Sequence, residues 1–298
     1  MRITRAGKDA AIPHDGLAPM SPITDTTAIS PRRYPIRRWT ALPIIAVFLW
    51  LDHFHLDLFR VIAGDWSGAA RTSALALLGY LPHWIAALGL AAVLTRPRHA
   101  IDALGLDGRP MRALLLGLML TAPLALGLAL ETPLTLTADT PHALVRHALL
   151  PGFGEELLYR GLLFGLLFRI AGWGFLPAAL TGALLFGGAH LSQGGSAAEA
   201  AGIFAITALG GVWFAWLYVE WDFDLWVPVA FHMLMNAWWV VFPVAENALG
   251  PLWTVGLRLL VIALSIGVTL AFAKYRDGRR LRGRRWFMGD AVRVLQAR

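Results

Sequence analysis

The chain has no cysteine. That excludes a thiol nucleophile, a disulfide framework and thiolate metal ligation, and it removes any marker of redox compartment. Charge is scarce too. Asp, Glu, Lys and Arg make up 15% of the 298 residues, against about 25% in soluble domains. No His-Glu-x-x-His occurs, so the usual helical zinc motif is missing. No internal repeat and no inverted pair of halves is visible, which counts against a transporter. Apolar residues are abundant instead, at 57% of the chain with a mean hydropathy of +0.59.

The charges are unevenly placed. Residues 1–40 carry seven Lys/Arg against three Asp/Glu, and 274–298 carry nine against two, so 41–273 is slightly acidic. The net charge of +7 therefore belongs to two tails around an oily body. Arginines beside long apolar runs are explained by the positive-inside rule and by anionic headgroups. No nucleic-acid recognition module accompanies them, and no nucleic-acid partner is expected. Residues 1–40, with Pro13, Pro19, Pro22, Pro31 and Pro35, read as a disordered basic cytoplasmic N-tail without a secretory cleavage site. Residues 274–298 read as a basic cytoplasmic C-tail.

Between the tails, apolar runs recur at the length of about 20 residues that a bilayer core requires. They fall near 41–62, 73–95, 111–130, 144–168, 176–192, 199–219, 225–245 and 252–273. The expected fold is an all-α, polytopic membrane helical bundle of about eight transmembrane helices, with 41–273 as one membrane domain. Eight spans put both tails on one side, where 21 Lys/Arg face three on the other, as cytoplasmic tails predict. The Trp-rich ends (Trp213, Trp216, Trp221, Trp226, Trp238, Trp239) read as aromatic belts. Asp52 to Arg60 crowd the end of the first run and are assigned no chemistry. His83 follows Pro82 and is expected to bond a carbonyl that the proline frees, while His142 and His147 lie near an outer face and are given no role.

Ionisable groups at membrane depth mark function or a tight structural pair, and three clusters stand out. In Gly154-Glu155-Glu156-Leu157-Leu158-Tyr159-Arg160, Glu156 and Arg160 are i,i+4 with the acid first, the better orientation for an intrahelical ion pair. Successive helical residues point about 100° apart, which leaves Glu155 to face a cavity, with Tyr159 one turn below. In Phe186-Gly187-Gly188-Ala189-His190, the small residues permit close helix approach beside His190. In His232-Met233-Leu234-Met235-Asn236, His232 and Asn236 share a helix face and offer two donors to one oxygen, as an oxyanion requires. Each cluster alone also reads as an interhelical polar contact. Convergence of the three needs broken helices, with breaks expected at Pro228 and at Gly187-Gly188. Ser196, in Gly194-Gly195-Ser196-Ala197, lies in a loop and is not read as a nucleophile.

Glu-Glu-x-x-x-Arg, Phe-x-x-x-His and His-x-x-x-Asn, in that order on successive spans, resemble the CPBP family of CAAX proteases and bacteriocin-processing, Abi-type intramembrane proteases. The motif core spans 144–245, and Leu104-Gly105-Leu106 ahead of the third span adds to the likeness. The resemblance implies a glutamic-type intramembrane endopeptidase without cofactor, in which Glu155 and His190 activate water and His232 and Asn236 bind the oxyanion. Glu156, Arg160, Tyr159 and Phe186 would then support the geometry. An alternative puts Zn²⁺ on Glu155, His190 and His232 with one position left for water. Two rivals use the same residues without peptidase chemistry: a proton-coupled transporter or channel with Glu155, His190 and His232 as a relay, and a catalytically silent membrane scaffold. The implied partners are the lipid bilayer and a membrane-associated or C-terminally tagged peptide or protein substrate. The Arg-rich, Lys-poor composition suggests a bacterial inner membrane, which makes prenylated substrates unexpected.

Overall fold

The structure, a computed structural model, describes residues 34–53, 68–276 and 278–289. The chain divides into a unit over 1–30 and a unit over 31–298, and everything below concerns the second. Most of the expected N-tail, the Asp52–Arg60 cluster beyond His53 and the end of the C-tail lie outside the described residues.

Among the described residues the chain is helical, with one isolated antiparallel bridge between Trp173 and Met288. Helix α1 spans Ala41–His53 and α2 spans Gly68–Leu94. The short α3 (Ala100–Leu104) leads to α4 (Pro110–Glu131). A continuous helical segment over 140–169 follows and is termed α5. Then come α6 (Phe175–Ala189), α7 (Ala197–Glu220), α8 (Trp226–Val241) and α9 (Leu252–Tyr275).

This is an all-α polytopic membrane bundle, in which the expected count of eight spans is not confirmed. Among the described residues, five helices are long and apolar enough to cross a bilayer: Arg71–Leu94, Pro110–Glu131, Phe175–Gln193, Ala197–Glu220 and Leu252–Tyr275. The expected run at 225–245 is shorter, because α8 ends at Val241. The run at 144–168 carries Glu155, Glu156 and Arg160, and its backbone is interrupted.

That interruption positions the site. Within α5, π-helical turns cover Val145–Leu149 and Leu157–Gly165, with α-helix at Leu150–Glu156 between them. Pro151 accounts for the first. It has no N–H, and its ring clashes with the carbonyl four residues back, so the preceding turn widens. The breaks expected elsewhere are absent: α6 runs through Gly187-Gly188 and ends at Ala189, and Pro228 sits in the first turn of α8. His190 reaches the site because the helix stops beside it.

The tryptophans are also differently employed. Trp213, Trp216 and Trp221 are buried. Trp213 Nε1 donates to Ser265 at 2.9 Å, Trp221 Nε1 to Thr269 at 3.0 Å and Trp238 Nε1 to Thr121 at 3.0 Å. These indoles tie α7 to α9 and α8 to α4 instead of forming interfacial belts, because a buried indole N–H needs an acceptor. His83 reaches Gly79 O at 2.8 Å within α2 and Leu51 O of α1 at 3.1 Å. A neutral imidazole donates to one of the two.

The Leu104-Gly105-Leu106 element docks α3 on the turn between α7 and α8. Gly105 is left-handed (φ 77°), and its carbonyl accepts from Leu225 N at 2.9 Å. Asp224 in that turn accepts from Trp226 N at 3.0 Å and from Arg109 N at 2.9 Å, and so serves the starts of α8 and α4 together. Burial raises its pKa, and these two hydrogen bonds oppose the rise. Ser196 caps α7: its hydroxyl accepts from Glu199 N at 3.2 Å, and Glu199 accepts in return from Gly195 N at 2.8 Å.

Candidate active site

Glu156 and Arg160 form the intrahelical pair that their spacing predicts, with Nη1 2.9 Å from Oε1. Both are buried, at 0% and 2% side-chain exposure. The guanidinium lies over Phe186 and Phe214, at 4.7 and 5.2 Å from their ring centroids. The same Glu156 oxygen is 2.7 Å from Nδ1 of His232 on α8. A carboxylate accepts hydrogen bonds, so His232 carries its proton on Nδ1, a tautomer assigned from the partner. Glu156 thus does more than hold its own helix. It aims the opposite edge of the His232 ring, Nε2, at Glu155 Oε2, 3.9 Å away.

Glu155 has the one-sided placement expected of it and faces a cavity of about 630 Å³. His190, His232, Asn236, Phe186 and Trp213 line the same cavity. His190 bonds Phe186 O through Nδ1 at 2.7 Å, leaving Nε2 toward other partners. The Phe186 ring packs against both imidazoles, with its centroid 4.6 Å from that of His190 and 6.3 Å from that of His232. Tyr159, one turn on from Glu155, is held by other partners. Its hydroxyl donates to Asp52 of α1 at 3.3 Å, and its ring packs edge-on against Phe48 and Phe186.

Two residues given no role by the sequence belong here. Tyr80 of α2 donates to Glu155 Oε1 at 3.4 Å. It can approach because Gly154 has no side chain; a Cβ there would overlap the Tyr80 ring. His147 also lines the cavity. Its signal was in the sequence: His147, Pro151 and Glu155 follow an i, i+4, i+8 spacing, one face of a helix, and all three line the cavity. Nothing local to Tyr80 marks it, since the contact spans 75 residues.

The zinc alternative needs Glu155, His190 and His232 gathered around one point. Among the described residues no three His, Asp or Glu side chains gather closely enough to hold a metal ion. One ring nitrogen of each imidazole is already engaged, by Phe186 O and by Glu156.

The fold and site together define a polytopic helical membrane protein in which the Glu155 carboxylate, the imidazoles of His147, His190 and His232 and the Asn236 amide line one cavity. Residues 137–238 match the family model described as Rce1-like, type II CAAX prenyl endopeptidase. The match covers about a third of the chain and contains every residue of the three motifs. It supports the CPBP/CAAX-protease family that the motifs resemble, and with it peptidase chemistry at a membrane. No curated protein matches the chain, and no solved structure does.

Proposed function

We propose that the chain is a glutamic-type intramembrane endopeptidase that cleaves a membrane-associated or C-terminally tagged protein. The observation that carries this reading is the approach of Glu155 Oε2 to His232 Nε2, 3.9 Å apart on the wall of a cavity of about 630 Å³. Glu155, with His190, removes a proton from water, and the hydroxide attacks the scissile carbonyl carbon. The carbonyl oxygen becomes an oxyanion between His232 Nε2–H and the Asn236 amide. Collapse of the tetrahedral intermediate expels the amine, which takes its proton back from Glu155 or His190. No metal takes part.

The Glu156 contact adds a requirement. His232 Nδ1–H is committed to Glu156, so Nε2 donates to an oxyanion only when the ring is an imidazolium. The buried Glu156 carboxylate is the counter-charge for that cation as well as for Arg160. We place the protein in a bacterial inner membrane with both tails cytoplasmic, on the basic bias of the tails.

The test compares protein termini in membranes from cells carrying the native chain or Glu155→Gln at matched levels. New termini made only by the native chain identify substrate and cut site. Identical termini under expressing conditions would sink the peptidase reading and favour the relay or the scaffold.

A further inference from the structure

Away from the peptidase cavity, a second cavity of about 300 Å³ opens at the end of the bundle where α1 begins and α2 and α5 finish. Its lining has two chemical halves. Pro35, Leu94 and Ile170 are apolar; Arg37, Arg96, His99, Thr95 and Tyr34 are polar or cationic. No carboxylate lines it. Hydrogen bonds build the pocket from distant segments: Arg37 N donates to Ile170 O at 2.8 Å, and the Tyr34 hydroxyl, near His99 O at 3.3 Å, donates to the Asp102 carboxylate behind the lining.

Arg37 and Arg96 are the informative pair. Several other cations at this end have acidic partners. Arg169 is paired with Asp102 at 3.3 Å, and Arg276 and Arg280 are held by Glu220 and Asp222. Among the described residues the side chains of Arg37 and Arg96 make no ion pair and no hydrogen bond, yet they face one concavity from two different segments. Two like charges converging without a counter-ion are unfavourable unless an anion joins them.

The depth of the pocket bears on which anion. Trp39, 62% exposed, lies beside it, and Leu42 and Val93, 77% and 80% exposed, stand just inside the adjoining ends of α1 and α2. Val93 lies on a helix long and apolar enough to span, where an exposed aliphatic side chain faces lipid, and an exposed Trp at a helix end sits at headgroup level. A pocket there, cationic on one side and apolar on the other, matches a phosphate on a glycerol backbone.

We propose that this pocket binds a phosphate group, with Arg37 and Arg96 as its bidentate donors and His99 and Thr95 at its rim, and that anionic phospholipid is its principal source. This is independent of the peptidase assignment, since none of these residues touches that cavity.

The full chain is reconstituted in phosphatidylcholine nanodiscs, phosphatidylglycerol is titrated in, and the lipid retained is counted by native mass spectrometry. The native chain should retain phosphatidylglycerol over phosphatidylcholine by about tenfold or more, the scale two arginines supply at an anionic surface. Arg37→Gln with Arg96→Gln should erase the preference, and because both side chains are exposed, folding should be unaffected. Each single variant serves as a check on that. Arg38→Gln with Arg284→Gln, equally exposed but outside the lining, should keep the preference.

Inorganic phosphate is the second probe. If it displaces the lipid, the phosphate is the group recognised. If it binds to the native chain and not to the Arg37/Arg96 variant while no lipid preference exists, the phosphate site stands and its source is soluble. Binding of neither probe, or equal loss from the two pairs of variants, overturns the proposal.

Discussion

Nδ1 of His232 lies 2.7 Å from Oε1 of Glu156, the oxygen that also accepts the Arg160 guanidinium. One buried carboxylate oxygen therefore serves a cation on its own helix and an imidazole on another. Tautomer and ring orientation of His232 are coupled to an ion pair that sequence spacing alone presents as structural.

Arg160→Ala leaves Glu156 buried without its cation, and removing one member of a buried pair costs about 3–5 kcal/mol. The folded fraction should fall sharply, read as membrane level and as detergent-solubilised thermal stability. Arg160→Met combined with Glu156→Leu should recover much of that stability yet remain inactive, because His232 has lost its counter-charge. An active double variant would remove Glu156 from the mechanism.

Asn236→Ala should fold normally, as Asn236 lines the cavity and makes no hydrogen bond among the described residues. Turnover should drop by about 10²–10³ while KM changes little, the signature of a donor used only as the oxyanion forms. A loss confined to KM would mean that Asn236 binds substrate instead.

Gly154→Ala should force Tyr80 away from α5 and cost about 1–3 kcal/mol by overpacking. Tyr80→Phe keeps the packing and removes only the donor to Glu155. If Tyr80 orients the carboxylate, both variants lose activity and only the first loses stability. Full activity in Tyr80→Phe would reduce the tyrosine to packing.

Asp224 supports two helix starts, so Asp224→Ala should destabilise by about 1–2 kcal/mol. Burial raises its pKa, so the folded chain holds the proton more tightly than the unfolded one. Its contribution to stability is then fully present below the ordinary Asp range and is lost as pH rises through the raised value. Relative to Asp224→Asn, the native chain should gain stability on acidification through that window. A flat difference between the two unfolding curves would contradict the sign.

Proteolysis should survive exhaustive chelation. Loss of cleavage that returns on adding Zn²⁺ would replace the metal-free reading with the zinc alternative.

The apolar runs and the ordered triple of motifs were legible because both are local. Hydropathy is a sum over about 20 neighbours, and i,i+4 pairing follows from helix geometry. The Glu156–Arg160 pair and the cavity-facing Glu155 follow from that geometry. The interior of a run did not, since 144–168 has the composition of a span and carries two π segments. The tryptophans misled for a related reason: whether an indole faces lipid or a hydroxyl on α9 depends on which helices are neighbours.

By itself, the sequence determined that this is an all-α membrane protein and which residues at membrane depth are chemically unusual, because hydrophobic length and helical spacing are properties of a single segment. Only the tertiary structure decided that Glu156 orients His232, that Tyr80 reaches Glu155 and that Arg37 and Arg96 share a pocket. Those contacts join segments 59 to 76 residues apart, and they exist only where widened π turns, glycine contacts and helix ends let the bundle close.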